Sequence, residues 1–191
     1  MSVKIIAGKY RGMQLEVPRS ARPTLSRHRT AIFDLLEALE ENFFLGKAVL
    51  DCFAGSGAMG FEAISRGASR VYFVDNDKNS VSLIKANLIK LKEQENCVVI
   101  CSDVHRLKKI REGYNCDLVF IDPPYFEDFS LQQFLPKLLE KHWISNDTLL
   151  LLEQSVHRLE HIDFFQEIKT KKIGGTLFSL GKISPRAKVV G

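Results

Sequence analysis

Short apolar runs alternate with helical patterns through most of the chain, and this alternation constrains the fold more than any other feature. The runs are Ala48–Phe53, Val71–Asp75, Val98–Cys101, Leu118–Ile121 and Leu149–Glu153. Strands separated by helices predict a parallel sheet, because parallel neighbours need a crossover connection. Right-handed crossovers cover both faces of such a sheet, so its strands can be apolar throughout, as these are. We therefore expect an open α/β sheet.

The two ends of the chain depart from this alternation. Val3–Val17 alternates loosely and contains Gly8 and Gly12, a pattern typical of a small β-hairpin. A helix is predicted from Thr24, a plausible N-cap, to about Glu41. The domain boundary is accordingly placed between a hairpin and linker at residues 1–23 and an α/β domain at residues 24–191.

The last part of the chain predicts a second hairpin. Phe164–Lys172 and Gly175–Ile183 alternate in polarity, and Gly174-Gly175 supplies a turn between them. We expect this antiparallel pair to close one edge of the sheet. With 45% apolar and 26% charged residues, the composition is that of a globular protein.

No apolar stretch is long enough to cross a membrane; the longest aliphatic run is Leu149–Leu152. Since no apolar leader opens the chain, we expect a cytoplasmic protein with no membrane partner.

The four cysteines form no CxxC pair and are expected to be reduced core thiols. The five histidines are scattered without metal-ligand spacing, so no metal site is predicted.

Positive charge is concentrated at the start of the chain. Residues 1–30 hold seven Lys and Arg side chains against the single acid Glu16, a net charge of +6, whereas the whole chain carries +4. The remaining 161 residues therefore carry about −2. A basic arm on a nearly neutral domain indicates a polyanionic partner, although a solvated surface segment would look similar.

A glycine-rich turn follows the first apolar run. Gly55, Gly57 and Gly60 form a Gly-x-Gly-x-x-Gly pattern between a strand and a helix. Glycines let the backbone approach a ligand, although tight turns also favour them. Asp75 ends the second run, 20 residues after Gly55, where a carboxylate can accept hydrogen bonds from two ribose hydroxyls. This spacing fits NAD or S-adenosylmethionine equally well. Asp103, after the third run, either accepts from an adenine amine or caps the next helix.

The fourth run ends in Asp122-Pro123-Pro124-Tyr125, which we call the substrate box. Two prolines remove backbone donors and hold the chain extended, so that nearby carbonyls remain as acceptors. Asp122 adds a carboxylate acceptor, and Tyr125 adds a ring on which a base can stack. Acceptors that hold both hydrogens of an exocyclic amine would turn its nitrogen lone pair toward an electrophile such as a sulfonium methyl group.

Together these motifs resemble class I S-adenosylmethionine-dependent methyltransferases, and more closely the bacterial 16S ribosomal RNA guanine-N2 methyltransferases, the RsmD family. The matching stretches are Arg11-Gly12, Arg22-Pro23-Thr24 with Arg27 and Arg29, Leu50–Gly57, Glu62-Ala63, Ser65–Ala68 and the substrate box. They cover about the first 125 residues in order. One departure is Thr30, where the family usually has glutamate.

The resemblance implies a Rossmann-like fold with a seven-stranded, mostly parallel sheet, an antiparallel terminal strand and a small N-terminal hairpin extension. It implies an S-adenosylmethionine pocket in which Asp75 binds the ribose and Asp103 lies near the adenine, the other pocket residues being Asp51, Phe53, Gly55 and Gly57. The substrate box would hold the target guanine. The residues expected to contact 16S ribosomal RNA are Arg11, Arg22, Arg27 and Arg29, which agrees with the charge distribution.

The expected activity is methyl transfer to guanine N2 in 16S ribosomal RNA by a monomer acting on the small subunit or an assembly intermediate, because such a particle can present an unstacked base. N6-adenine methylation of DNA or RNA uses the same amine chemistry and is one alternative. A non-catalytic RNA-binding assembly factor on the same fold is another. An NAD dehydrogenase would share the glycine turn and Asp75 but would have no use for the substrate box.

Overall fold

The computed structural model describes residues 2–17, 26–123 and 129–184. The predicted N-terminal hairpin is present as two short antiparallel strands, β1 (Ser2–Lys4) and β2 (Gln14–Glu16). Gly8 adopts a φ of +79° between them, and a Cβ there would lie 1.9 Å from the carbonyl oxygen of Ser65. Only glycine therefore allows the hairpin loop to approach so closely.

Helix α1 (Ser26–Glu37) buries the apolar face predicted for it, including Ile32, Phe33 and Leu36. The predicted start at Thr24 lies outside the described residues. The predicted end near Glu41 is wrong by about one turn. The amide of Leu39 already bonds to the carbonyl of Leu36, three residues back, and this tighter turn ends the α-helix.

The described residues fall into two compact units, residues 1–104 and residues 105–191. The first unit holds the hairpin, α1 and three parallel strands joined by two helices. Each strand overlaps its predicted run, and β4 pairs with both β3 and β5. These elements are β3 (Ala48–Asp51), α2 (Ala58–Ser65), β4 (Arg70–Asp75), α3 (Lys78–Leu91) and β5 (Cys97–Cys101).

The second unit begins with the parallel pair of β6 and β7 and ends with the predicted hairpin. A β-bulge between Glu167 and Lys169 interrupts the pairing of the hairpin strands. The hairpin is antiparallel to β7, as expected for a pair that closes the sheet. The elements are β6 (Leu118–Ile121), α4 (Leu131–Glu140), β7 (Leu149–Ser155), β8 (Phe165–Ile173) and β9 (Thr176–Ile183), and a 3₁₀ turn (Val104–Arg106) follows β5.

The seven strands form one sheet in the order β5-β4-β3-β6-β7-β9-β8. The predicted fold class is thus confirmed: a mostly parallel seven-stranded sheet with antiparallel terminal strands and a separate two-stranded hairpin. The predicted boundary between residues 23 and 24 falls in a segment outside the described residues and stays a prediction. In the part of the chain that the structure describes, no helix is long and apolar enough to cross a membrane.

Candidate active site

The glycine turn between β3 and α2 has the backbone shape that its sequence predicts. Gly55 and Gly57 adopt positive φ angles of 51° and 73°. A Cβ on Gly57 would lie 2.8 Å from the ring of Phe61. The turn therefore needs glycine both for its conformation and for space.

Gly60 brings helix α2 against strand β4. A Cβ on Gly60 would lie 2.3 Å from the ring of Phe73, so only a hydrogen fits between helix and strand. The amide of Gly60 also donates to the Asp51 carboxylate at 3.2 Å, and Asp51 is buried. Asp51 thus fixes the first turn of α2 beside the end of β3. In the structure, Asp51, predicted as a cofactor residue, positions this turn.

Asp75 joins the turn after β3 to the turn after β4. Its Oδ2 accepts the amide of Gly55 at 2.6 Å, and its Oδ1 accepts the amide of Asp77 at 2.8 Å. A carboxylate offers about four acceptor positions, so acceptor capacity remains on both oxygens for a further pair of donors. Two neighbouring hydroxyls, as on a ribose, are such a pair.

Phe53 and Asp103 lie at the ends of other strands of the first unit. Phe53 is half-buried after β3, and Asp103 is exposed between β5 and the 3₁₀ turn. The amide of Ser102 donates to the carbonyl of Asp75 at 3.0 Å, which holds the end of β5 beside the end of β4. This position fits either of the two roles predicted for Asp103, the adenine contact or the helix cap.

The substrate box begins directly after β6. Ile121 is buried as the last residue of the strand, Asp122 is exposed and Pro123 is half-buried. Pro124 and Tyr125 lie outside the described residues. Asp122 is exposed at the carboxyl end of a parallel strand, which is where a carboxylate acceptor for an incoming base is expected.

The predicted RNA-contacting arginines have different environments. Arg11, in the hairpin loop, and Arg27, in the first turn of α1, are exposed, and Arg22 lies outside the described residues. Arg29 is buried, with 1% of its surface exposed, and its guanidinium donates to the carbonyl of Lys4 at 2.5 Å. Its assignment as a phosphate contact is therefore wrong in this structure, because a phosphate cannot reach it.

Arg29 is instead part of a buried charged cluster. Burial lowers the pKa of Arg29 and the charge of Arg66 adds to this effect, while the Glu62 carboxylate, 3.9 Å from its Nε, opposes both. The sequence did hold a signal for this position. Arg29 precedes Ile32 and Phe33 by three and four residues, so it shares the buried face of α1.

Glu62 at the centre of this cluster is a residue whose role the sequence analysis missed. It is fully buried in α2 and accepts the amides of Ile6 and Ala7 at 2.8 and 2.9 Å. The Nε of Arg66 donates to the same carboxylate at 2.9 Å. Glu62 therefore attaches the N-terminal hairpin to α2. An acid between Phe61 and Ala63 in an otherwise apolar helix was the available signal.

The other side of the hairpin is attached to the region of α3. Asn87 accepts the amide of Glu16 at 3.0 Å and donates to its carbonyl at 2.8 Å. Glu93 accepts hydrogen bonds from Lys9 and from the Tyr10 hydroxyl. Burial raises the pKa of Glu93, but hydrogen bonds from Asn96, Tyr10 and Lys9 lower it by more. The hairpin is thus a fixed part of the first unit.

Metal-ligating side chains do not gather in the described ranges: no group of three or more His, Cys, Asp or Glu residues there could hold an ion. All four cysteines are free thiols. Cys52, Cys97 and Cys116 are buried, but Cys101 is exposed, which corrects its predicted place in the core. Burial raises the pKa of Cys97 to about 12.

Comparisons with known proteins give a consistent result over nearly the whole chain. The family model described as "Conserved hypothetical protein 95" matches residues 3–182. A ribosomal RNA small subunit methyltransferase D from Buchnera aphidicola is 32% identical, with 93% of this chain and 91% of that protein covered. A protein of the same name from Haemophilus influenzae is 35% identical, with 79% and 78% covered.

Solved structures agree with these relatives. A putative methyltransferase from Escherichia coli has a TM-score of 0.81 and 28% identity, with 97% of this chain and all of that chain covered. A putative methylase from Haemophilus influenzae has a TM-score of 0.77 and 30% identity, with 96% and 99% covered.

Proposed function

Because the chain belongs to the ribosomal RNA small subunit methyltransferase D family and is an S-adenosylmethionine-dependent methyltransferase, we propose that it methylates the exocyclic N2 amine of a guanine in 16S ribosomal RNA. The observation that carries this proposal is the exposed Asp122 of the substrate box at the carboxyl end of β6. An acceptor at that position suits an amine donor, and ligands of open α/β sheets bind at this end of the strands.

The residues of the first unit fit S-adenosylmethionine. Asp75 keeps acceptor capacity on both carboxylate oxygens for the ribose hydroxyls. Gly55 and Gly57 form the tight turn after β3, next to the half-buried Phe53, and Asp103 is the residue proposed to lie near the adenine. When bound, the cofactor supplies a methyl group on a positively charged sulfur.

The residues after β6 prepare the nucleophile. The guanine amine donates one hydrogen to the Asp122 carboxylate and the other to the carbonyl oxygen of Pro123. Its lone pair then leaves the conjugation of the ring and becomes available for methylation. The cofactor, which Asp75 and the turn after β3 would hold, would supply the methyl group while its sulfur keeps the electron pair of the broken bond, and Asp122 would pass the proton lost by the amine to water. Position and electrostatics supply most of the rate, since no strong base is required.

RNA binds through exposed positive charge on the hairpin and at the start of α1. Arg11 and Arg27 face solvent there, and Arg22 joins them in the proposed phosphate contacts. Because Glu62 and Glu93 hold the hairpin firmly, Arg11 sits on a rigid support. The proposed substrate is the small subunit or an assembly intermediate in the bacterial cytoplasm, and the enzyme acts as a monomer.

The proposal is tested by transfer of labelled methyl groups from S-adenosylmethionine to small subunits that lack the modification, followed by nucleoside analysis. Naked 16S ribosomal RNA and duplex DNA serve as parallel substrates. Label in N2-methylguanosine supports the proposal. Label in N6-methyladenine refutes the guanine assignment, and cofactor binding without label in any substrate refutes the catalytic role.

A further inference from the structure

A short, strongly basic stretch begins in the 3₁₀ turn after β5. Residues 105–114, which we call the basic loop, hold four Lys and Arg side chains against the single acid Glu112, a net charge of +3. The four cations, all exposed, are Arg106, Lys108, Lys109 and Arg111. The net charge of about −2 over residues 31–191 hides this local excess, so the charge distribution along the whole chain did not point to it.

These cations are not neutralised by neighbouring carboxylates. In the described part of the chain, no ion pair uses any of the four, whereas Lys9, Lys47 and Arg66 are each paired. Since residues 106–111 span at most about 20 Å of chain, their backbone positions lie within about two Debye lengths at 0.1 M salt. Their fields therefore add and attract a polyanion.

The backbone of the basic loop is fixed by the residues that end α4. The buried indole of Trp143 donates to the carbonyl of Lys108 at 2.9 Å, and the Ile110 amide donates to the carbonyl of Lys141 at 3.0 Å. The Nζ of Lys141 donates to the carbonyl of His105 at 2.9 Å. Each bond uses a backbone atom of the loop, so the four cations extend from a rigid support. Such a support lowers the entropy cost of binding.

An exposed aromatic ring adjoins the cations. The amide of Tyr114 donates to the carbonyl of Arg111 at 3.2 Å, and Gly113 between them adopts a φ of +82°. The Arg111 guanidinium lies 5.5 Å from the ring centroid of Tyr114, which is 58% exposed. Proteins stack unpaired RNA bases on aromatic rings and on guanidinium planes. An exposed pair of flat groups beside four cations therefore fits RNA better than an acidic protein, whose carboxylates need positive charge alone.

The end of the basic loop lies away from the substrate box. The amide of Cys116 donates to the carbonyl of Trp143 at 2.9 Å, which holds this end beside the start of the parallel strands β6 and β7. Asp122 follows the other end of β6. At about 3.3 Å per residue, the four-residue strand alone spans roughly 13 Å. RNA held here is therefore not the target guanine.

We propose that the basic loop is a second RNA-binding surface. Its cations contact phosphates, and Tyr114 with the Arg111 guanidinium stacks against an unpaired base. The surface binds ribosomal RNA beyond the target guanine, so it contributes affinity and leaves the chemical step unchanged. The inference rests on the proposed function, because it takes the same ribosomal RNA as its ligand.

The double variant Lys108→Ala/Lys109→Ala tests the phosphate contacts. Both side chains are exposed, and the hydrogen bond to the carbonyl of Lys108 remains, so we expect Tm to change little. Two lost phosphate contacts should reduce the slope of log K against log salt by about 1.4 to 1.8 in titrations with 16S ribosomal RNA. In methyl transfer to small subunits, KM rises while kcat stays within about twofold.

The double variant Lys169→Ala/Lys172→Ala is the matched control. These lysines are also exposed, they lie in β8 of the same unit, and their replacement removes the same charge. We expect the slope and KM of the unaltered protein. An unchanged slope in Lys108→Ala/Lys109→Ala refutes the proposal. Equal falls in the two double variants also refute it, because the effect would then follow from net charge alone.

Tyr114→Leu tests the stacking contact. Loss of the ring should raise the Kd for 16S ribosomal RNA about fivefold or more, while the salt slope stays unchanged because no charge is removed. Tyr114→Phe keeps the ring and should bind within about twofold of the unaltered protein. A normal Kd in Tyr114→Leu, or an equal loss in Tyr114→Phe, contradicts stacking on this ring.

Lysine acylation gives a measurement that needs no variant. Bound 16S ribosomal RNA should protect Lys108 and Lys109 from an amine-acylating reagent and leave Lys169 and Lys172 reactive. Protection by small subunits but not by the RNA alone refutes the proposal, because a protein of the subunit would then cover the loop.

The outcomes separate this inference from the proposed function. An unaltered protein that binds 16S ribosomal RNA through the basic loop but methylates no RNA refutes the proposed function alone. An unaltered protein that forms N2-methylguanosine, together with a normal salt slope in Lys108→Ala/Lys109→Ala, refutes the second RNA-binding surface alone.

Discussion

Removal of the Glu62 carboxylate is expected to destabilise the protein strongly. Glu62→Ala leaves two hairpin amides without their acceptor and leaves the buried Arg29 guanidinium without its nearby negative charge. Breaking a buried ion pair by removing one partner costs roughly 3 to 5 kcal/mol. This is a large part of the total for a typical domain, about 5 to 15 kcal/mol. For a protein of this size Tm should fall by about 6 to 20 °C.

Glu37→Ala is a matched control for this prediction. Glu37 pairs with the same Arg66 guanidinium at 2.7 Å, but its side chain is 43% exposed. An exposed pair contributes about 0 to 1 kcal/mol, so the control changes Tm little. Urea unfolding followed by circular dichroism measures both variants. A loss below about 1 kcal/mol in Glu62→Ala, or equal losses in the two variants, contradicts the view that burial makes this carboxylate important.

Three further predictions concern the active site, RNA binding and pH. Asp122→Ala is expected to lower kcat by about 100-fold or more with the Kd for S-adenosylmethionine nearly unchanged, as measured by methyl transfer and calorimetry; a near-normal rate removes its role as amine acceptor. Replacing Arg11 and Arg27 by alanine should reduce the slope of log K against log salt by about 1.4 to 1.8 in RNA titrations. An unchanged slope would mean that neither side chain contacts a phosphate. The lowered pKa of Glu93 means that its contribution to stability is present above its unfolded pKa of about 4.5 and is lost as pH falls through the lower folded value. The difference in unfolding free energy between the unaltered protein and Glu93→Gln should therefore shrink between pH 6 and pH 3; a constant difference contradicts the pKa assignment.

Local patterns predicted the fold because the signals for strands and turns are local. The bounds of the strand Leu118–Ile121 agree with the prediction at both ends, since a short apolar run that stops sharply after Ile121 leaves little choice of where the strand ends. The predicted bounds of the two terminal hairpin strands differ from the observed bounds by one residue at three of the four ends, because Gly174-Gly175 fixes the turn. The end of α1 was less predictable, because a tighter last turn has no distinct sequence signal.

Side chains with distant partners could not be assigned in this way. Glu62 reaches the hairpin amides across 56 residues, and Glu160 reaches the Leu131 amide across 29. Nothing near either glutamate in the sequence shows which amides it accepts. Arg29 was misassigned for a related reason. Its charge suggested phosphate, but its place on the buried face of α1 decides its environment.

One of the two edge strands of the sheet, β8, has a shape that opposes pairing with another chain. Strands at the edge of a sheet present unpaired backbone groups, which can template the addition of further strands and lead to aggregation. The bulge between Glu167 and Lys169 breaks the regular spacing of those groups, and Lys169 and Lys172 put exposed positive charges along the same strand. A second copy of β8 would meet these charges with its own. At this edge the sheet can therefore end in a nine-residue strand and still resist the addition of further strands.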